Sequence, residues 1–253
     1  MKFFREKSPF REPPQKNPSM SQILQEIPSQ PGKVIREIND KKLKELWETR
    51  DLLELAIQGN KLLEQLRTEY HIPLSARFVV GQNERGEKVI YIVSDKIIGE
   101  EVSNMFSIID TERERFGQEA EQIGKSLTLY LVDAYDTGKP FLWDVFAPRQ
   151  YMWGHKENQE ENHMYLIDVE PRIYTFNEVG IRAFSDLVSA VERFEIKSKI
   201  DFSRVWKILD NFYKKVVSDT KTIQEENMPR TLVKSELDFI KKILGRHLVS
   251  AAL

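Results

Sequence analysis

The chain has 253 residues, of which 40% are hydrophobic and 31% charged, as is ordinary for a soluble globular protein. Its 38 Lys and Arg nearly balance its 40 Asp and Glu, and a net charge of −2 argues against a general nucleic-acid-binding footprint. There is no cysteine, which excludes disulfides, thiolate metal sites and cysteine nucleophiles. No apolar run could span a bilayer and no signal-peptide core is visible, so we expect a cytoplasmic protein without membrane contacts.

Residues 1–31 predict a Pro-rich, flexible leader. They hold six of the eleven prolines and no glycine. Proline fixes φ and lacks a backbone donor, so an extended segment is expected rather than a packed element. One amphipathic piece, "MSQILQEI", would form a helical turn or dock on the body of the protein. The leader is also the segment that would bind a protein partner.

Residues 32–101 predict a small mixed unit. "GKVIREIN" alternates like a short strand, and apolar residues then recur at helical spacing from Asp40, the candidate N-cap, to about Glu69. Gly59-Asn60 is expected to break or kink that helix. "IPLSARFVVG" and "KVIYIVSDKIIG" then predict two strands of an antiparallel hairpin around the turn "QNERGE".

Residues 102–253 predict a mostly helical part. A helix is expected over residues 103–135, and three more are expected after Tyr174. Between them lies a second hairpin, residues 141–172. The whole order indicates an α+β fold, with a small mixed N-terminal part and a mostly helical C-terminal part.

The second hairpin carries two acids at positions that need an explanation. In "FLWDVFAPRQYMWGHKENQEENHMYLIDVEPRIY", Asp144 precedes the first strand and Asp168 directly follows the second. An acid at the end of the buried-looking strand "MYLI" is costly unless it is paired or metal-bound, which favours a functional role for Asp168. For Asp144, the capping of a turn is an equally good interpretation.

These motifs resemble the protein-kinase-like fold, particularly its aminoglycoside-phosphotransferase-like branch. "KIIGEEV" is similar to the hinge phrase of such kinases. "FLWDVFAPRQYMWG" resembles the catalytic loop with its following strand, and "MYLIDVEP" resembles the strand that ends in the metal-binding Asp. The resemblance implies a two-lobed protein with a reduced β-sheet in its N-lobe, residues 32–101, and a helical C-lobe, residues 102–253.

The resemblance also implies a role for each acid. Phosphoryl transfer needs one carboxylate to orient the nucleophile and others to hold Mg²⁺. Asp144 would then be the catalytic-loop base and Asp168 the metal ligand. Gln150 would stand near the position of the metal-binding Asn, and Mg²⁺ with ATP would be the cofactors.

Four residues of the N-lobe are the candidates for binding the nucleotide. Lys33 and Arg36 are the candidates for the lysine on the strand before the helix, and Glu48 or Glu54 would be its partner on the helix. The chain departs from the family pattern in other respects. No Gly-rich phosphate loop precedes Gly32, and "DVE" stands where the family has D-F-G. These losses indicate an atypical or degenerate kinase, or a pseudokinase.

Two other functions remain open. A non-catalytic module that works through protein contacts would explain the missing Gly-rich loop. A Mg²⁺-dependent nuclease would place an Asp and E-x-K on one hairpin, and "Asp168-Val169-Glu170-Pro171-Arg172" is faintly similar to that pattern. Arg in place of the catalytic Lys and the near-neutral charge count against the nuclease.

The sequence favours structural roles for several other polar residues. Glu170 and Arg172 are expected to pair with each other on the surface. His155 and His163 flank the acidic tip "KENQEEN", which predicts a solvated turn rather than a metal site. The hairpin aromatics are expected to pack against the helices.

Overall fold

A computed structural model describes residues 25–26, 32–38, 51–102, 110–146, 148–198, 202–223 and 230–250. In this part of the chain, three small sheets and five α-helices form the α+β fold that the sequence predicts. The expected N-cap Asp40 and most of the leader lie outside the described residues. Gln25–Glu26 of the leader form a two-residue strand that pairs with the strand Lys33–Glu37, so this part of the amphipathic piece docks on the body of the protein.

The first sheet contains four antiparallel strands in the order β1-β2-β4-β3. They are β1 (Gln25–Glu26), β2 (Lys33–Glu37), β3 (Arg77–Gln82) and β4 (Lys88–Asp95). Helix α1 (Leu52–Thr68) connects β2 to β3, and the Asp51 side chain caps it by accepting a hydrogen bond from the Leu53 N–H. The strand, helix and hairpin therefore follow the predicted order.

Gly59 and Asn60 do not break α1, contrary to the sequence-based expectation. Gly59 lets the helix approach the sheet, because a Cβ there would come within 2.6 Å of the Phe78 ring. The Asn60 side chain accepts a hydrogen bond from the Phe78 N–H (2.8 Å) and donates one to the Phe78 carbonyl (2.9 Å). Tertiary contacts with β3 therefore compensate for the low helix propensity of this pair.

The predicted single strand "KVIYIVSDKIIG" is in fact two strands in two sheets. Strand β4 ends at Asp95, and β5 (Ile97–Glu101) pairs with β7 (Tyr151–Lys156), which pairs in turn with β8 (His163–Leu166). The Lys96 N–H donates to the Gly32 carbonyl (2.8 Å) at the point of change. This second sheet holds the predicted acid-bearing hairpin and adds β5 to its edge.

The remaining elements follow the expected order. Helix α2 (Asp110–Thr137) precedes the short strand β6 (Phe141–Leu142), which pairs with β9 (Ile173–Tyr174) in a third sheet. Two 3₁₀ turns, Trp143–Phe146 and Pro148–Gln150, separate β6 from β7. The three predicted C-terminal helices are confirmed as α3 (Phe176–Ser198), α4 (Ser203–Ile223) and α5 (Arg230–Ser250).

One hydrophobic core runs through the described part of the chain. It joins Phe78 and Ile90 of the first sheet to Tyr151 and Met164 of the second and to Trp206 on α4. Helices α2, α3, α4 and α5 pack around one another, and their buried faces belong to the same core. Among the described residues, no helix has both the length and the apolarity that crossing a membrane requires.

The close antiparallel pairing of β5 with β7 provides a test of this topology. Gly99 lies opposite Gly154, and a Cβ on Gly99 would collide with the Trp153 carbonyl oxygen. We expect Gly99→Ala to lower the free energy of unfolding by about 2 kcal/mol or more, because backbone atoms cannot move aside as a flexible side chain can. Urea denaturation monitored by circular dichroism measures the change.

The matched control is Gly245→Ala on α5, where an added Cβ meets nothing within 4 Å. It should stabilise the protein by about 0.5–1 kcal/mol, because Ala favours helix more than Gly. Equal effects of the two substitutions would contradict the close approach of β5 and β7.

Candidate functional site

Asp144 lies in the 3₁₀ turn that follows β6. The pairing of β6 with β9 and a hydrogen bond from the Trp143 N–H to the Arg172 carbonyl (3.0 Å) hold the start of the turn. Its end is fixed by the Tyr151 hydroxyl, which donates to the Val145 carbonyl (2.8 Å). Both Val145 and Phe146 are buried, so the turn carries Asp144 into the protein, where only 3% of the residue is exposed.

The Asp144 carboxylate is held by two hydrogen bonds to the same oxygen. Its Oδ2 accepts from the side-chain amide of Gln150 (2.5 Å) and, more weakly, from the backbone N–H of Glu170 (3.3 Å). A buried carboxylate needs such donors, because burial without them is costly. The structure thus brings Asp144, the predicted base, into direct contact with Gln150, which the resemblance places near the position of the metal-binding Asn.

Gln150 also connects this turn to the segment after β8. Its backbone carbonyl accepts from the N–H groups of Ile167 (2.9 Å) and Asp168 (3.4 Å). Its side chain is 3% exposed, and its Oε1 is buried without a hydrogen-bond partner. An orphaned buried carbonyl oxygen is uncommon in native proteins, where a water or an ion commonly satisfies it.

The environment raises the pKa of Asp144 to about 6. Burial is the main cause, because it disfavours the charged form, and the negative charges of Glu170 and Asp168 act in the same direction. The positive charge of Arg172 and the hydrogen bond from Gln150 oppose this shift. A carboxyl group with a pKa near neutrality can exchange protons in the physiological range, as a general base must.

Asp168 forms an ion pair with Arg36, which lies on β2 of the first sheet. Val34 and Ile38, two positions to either side of Arg36, are buried, so strand alternation turns all three side chains toward the same face. The Arg36 and Asp168 side chains remain 24% and 29% exposed. The ion pair joins the first sheet to the acid-bearing hairpin.

The two cation candidates on β2 occupy different environments. Lys33 lies at an odd position of the strand and therefore on the opposite face from Arg36. It pairs with Asp95, the residue opposite it on β4. The Lys156 ammonium group lies 2.8 Å from the same carboxylate. Of the two candidates, Arg36 is the one that contacts an acid of the hairpin.

The expected helix partners are not brought to this cluster among the described residues. Glu54 is in the first turn of α1, where it accepts a hydrogen bond from Gln58 (3.2 Å). Glu48 lies outside the described residues. The predicted pairing of Arg36 with Glu48 therefore stays a prediction.

Glu170 and Arg172 form the predicted pair, with the Arg172 Nε and Nη2 each 2.7 Å from Glu170 Oε2. The pair is less exposed than expected, because the two side chains retain only 17% and 19% of their surface. Arg172 also lies over the Trp143 ring, 5.9 Å from its centroid. The i,i+2 spacing of Glu170 and Arg172 predicts that they pair, but not that the pair borders Asp144.

The tip of the hairpin is tied to α2. His155 bonds Asn162 (2.9 Å), whose side-chain amide donates to Glu112 (2.9 Å), and His163 bonds Glu119 (2.8 Å). Among the described residues, no group of three or more His, Asp or Glu side chains is placed to hold a metal ion. The two histidines thus belong to contacts between the hairpin tip and α2, which the sequence did not predict.

Comparisons with known proteins place few constraints on the chain. No protein-family model matches it, and no curated protein matches it. A solved structure, "WaaP in complex with acyl carrier protein", is similar to it with 12% sequence identity and a TM-score of 0.34. That likeness covers 75% of this chain and 98% of the other. A TM-score this low supports no conclusion about function.

The raised pKa of Asp144 predicts a pH-dependent effect of Asp144→Asn. An unfolded Asp has a pKa near 3.9, so below about pH 4 the carboxyl is protonated in both states and its burial costs little. As the pH rises to about 6 and beyond, ionisation favours the unfolded state. Relative to wild type, the variant should therefore gain about 2–3 kcal/mol of stability between pH 4 and pH 8.

Urea denaturation at the two pH values measures this difference. Asp238→Asn, which replaces an exposed carboxylate on α5, is the control and should show no comparable gain. A constant difference between Asp144→Asn and wild type at both pH values would contradict the shifted pKa.

Proposed function

We propose that this chain is a kinase-like protein of an atypical or degenerate kind, which binds ATP with Mg²⁺ between its first sheet and its acid-bearing hairpin. The observation that carries the proposal is the clustering of Asp144, Gln150 and Asp168, with Arg36 opposite them. Two of these residues are carboxylates on segments 24 positions apart in the sequence, and the third connects those segments.

The topology supports the same proposal. Among the described residues, two strands, a helix and three further strands precede the long helix α2, and the acid-bearing turn and hairpin follow it. The sequence resemblance to kinase-like proteins implies this order. In particular, β2 pairs with β4 rather than with β3, so the strand that carries Arg36 lies at the centre of the first sheet.

We infer that Asp168 and Gln150 would be the protein's ligands for a magnesium ion. Mg²⁺ prefers oxygen ligands and is commonly held by one or two carboxylates together with substrate phosphates. Asp168 offers a carboxylate, and Gln150 offers a buried Oε1 that has no hydrogen-bond partner. When bound, the ion would neutralise phosphate charge.

The other residues have separate roles in the proposal. Asp144, with its pKa near 6, would accept the proton of a substrate hydroxyl and orient it. Gln150 would keep the Asp144 side chain in place through its amide group. Arg36 would contribute positive charge from β2 in place of the expected lysine, although an Arg and a Lys are not equivalent at such a position.

A non-catalytic interaction module is the second candidate. It is favoured by the ion pair that occupies Asp168 and by Glu170, which stands where the family pattern has a glycine. Such a protein could retain nucleotide binding without phosphoryl transfer. Binding and turnover therefore need separate measurements.

The test is a thermal-shift assay with ATP and MgCl₂, alone and together. We expect the melting temperature to rise by about 5 °C or more when ATP and Mg²⁺ are both present at about a hundred times Kd. Asp168→Ala should abolish the rise, because it removes the carboxylate that would hold the ion. Release of labelled phosphate in the same samples would distinguish an active enzyme from a binding remnant.

The matched control is Asp136→Ala, which removes a carboxylate that is also paired with a cation, Lys215, but lies at the end of α2. Its response to Mg²⁺ and ATP should equal that of wild type. An unchanged melting temperature in every wild-type sample would sink the nucleotide-binding proposal and leave the interaction module.

A further inference from the structure

We propose that Arg36 is an internal cation that competes with Mg²⁺ for Asp168, so that metal binding requires the Arg36–Asp168 ion pair to open. The inference rests on the proposed function in one respect, namely that Asp168 is the metal ligand. It adds a control element that the family resemblance does not supply. In this chain, the positive charge that neutralises Asp168 comes from the protein itself.

The geometry places a protein cation directly on the carboxylate that would hold the metal. The guanidinium of Arg36 binds Oδ1 of Asp168 directly. An Mg²⁺ ion would need to approach a carboxylate oxygen to about 2.1 Å, with a nearly octahedral shell of further ligands around it. A guanidinium and a divalent cation that share one carboxylate would repel each other, so each weakens the binding of the other.

Both ends of the ion pair are held by the backbone. Arg36 pairs with Ile92 in the register between β2 and β4, and β2 is flanked by strands on both sides. Asp168 is positioned by the hydrogen bond from its N–H to the Gln150 carbonyl (3.4 Å). In the proposal, the pair opens by movement of the Arg36 side chain while both backbones stay in place. That side chain is 24% exposed and flexible enough to turn toward solvent.

The charge of the cluster is consistent with this exchange. The carboxylates of Asp144, Asp168 and Glu170 and the guanidinium groups of Arg36 and Arg172 sum to −1 when all are ionised (three negative, two positive). Without the Arg36 contact the remaining groups sum to −2. One Mg²⁺ ion carries the opposite charge, so the cation suits the cluster best when Arg36 has left it.

The test measures Mg²⁺ affinity without nucleotide, by isothermal titration calorimetry on the full chain with MgCl₂ alone. Arg36→Gln should bind Mg²⁺ about 5- to 10-fold more tightly than wild type, because the competing cation is gone. Arg36→Lys, which keeps the charge but loses the planar fork, should lie between the two. Adding Asp168→Asn to Arg36→Gln should remove the gain. Circular dichroism verifies that each variant is folded.

The matched control is Lys33→Gln, which removes a cation from the opposite face of the same strand. Lys33 pairs with Asp95 and not with Asp168, so this variant should keep the wild-type Mg²⁺ affinity. Equal gains for Lys33→Gln and Arg36→Gln would overturn the inference, because the effect would then be one of general charge. An Arg36→Gln protein that binds Mg²⁺ no better than wild type, or not at all, would overturn it as well.

These outcomes are separable from those of the nucleotide assay. A melting-temperature rise with Mg²⁺ and ATP in wild type, together with unchanged Mg²⁺ affinity in Arg36→Gln, overturns the competition and leaves the proposed function standing. Tighter Mg²⁺ binding by Arg36→Gln without any response to ATP supports the competition and removes the nucleotide assignment.

Discussion

The candidate site depends on how Gln150 joins two segments that are distant in sequence. Its backbone carbonyl accepts hydrogen bonds from Ile167 and Asp168, and its side-chain amide binds the buried Asp144. The turn after β6 and the segment after β8 are therefore fixed relative to each other at the position where their acids meet. The same residue keeps a buried side-chain oxygen without a hydrogen-bond partner.

The charges around this centre come from different layers of the fold. Glu170 and Arg172 belong to the segment before β9, whereas Arg36 reaches Asp168 from the first sheet. Burial and neighbouring carboxylates hold the Asp144 pKa near 6, while the arginines keep the cluster from accumulating three uncompensated charges. This balance is compatible with phosphate chemistry and also with a site whose metal affinity is restrained.

Much of the fold was predictable because its signals are local. The helices of the C-terminal part, the acid-bearing hairpin and the strand around Lys33 follow from apolar periodicity and turn residues. Two predictions were wrong for tertiary reasons. The strand through Lys96 divides because β7 offers a second edge for pairing, and α1 continues through Gly59 because the Phe78 ring fills the space that a side chain would take.

The sequence by itself determined which chemistry is available: two acids framing one hairpin, a Gln between them, no cysteine, and no glycine before Gly32. Only the tertiary structure decided the contacts. Val34 and Ile35 are both apolar, so the alternation along β2 does not reveal whether Lys33 or Arg36 faces the acids, and packing against the core selects Arg36. Which acid each cation of β2 binds depends on which face of β2 is buried. Contacts between residues far apart in the sequence determine that face.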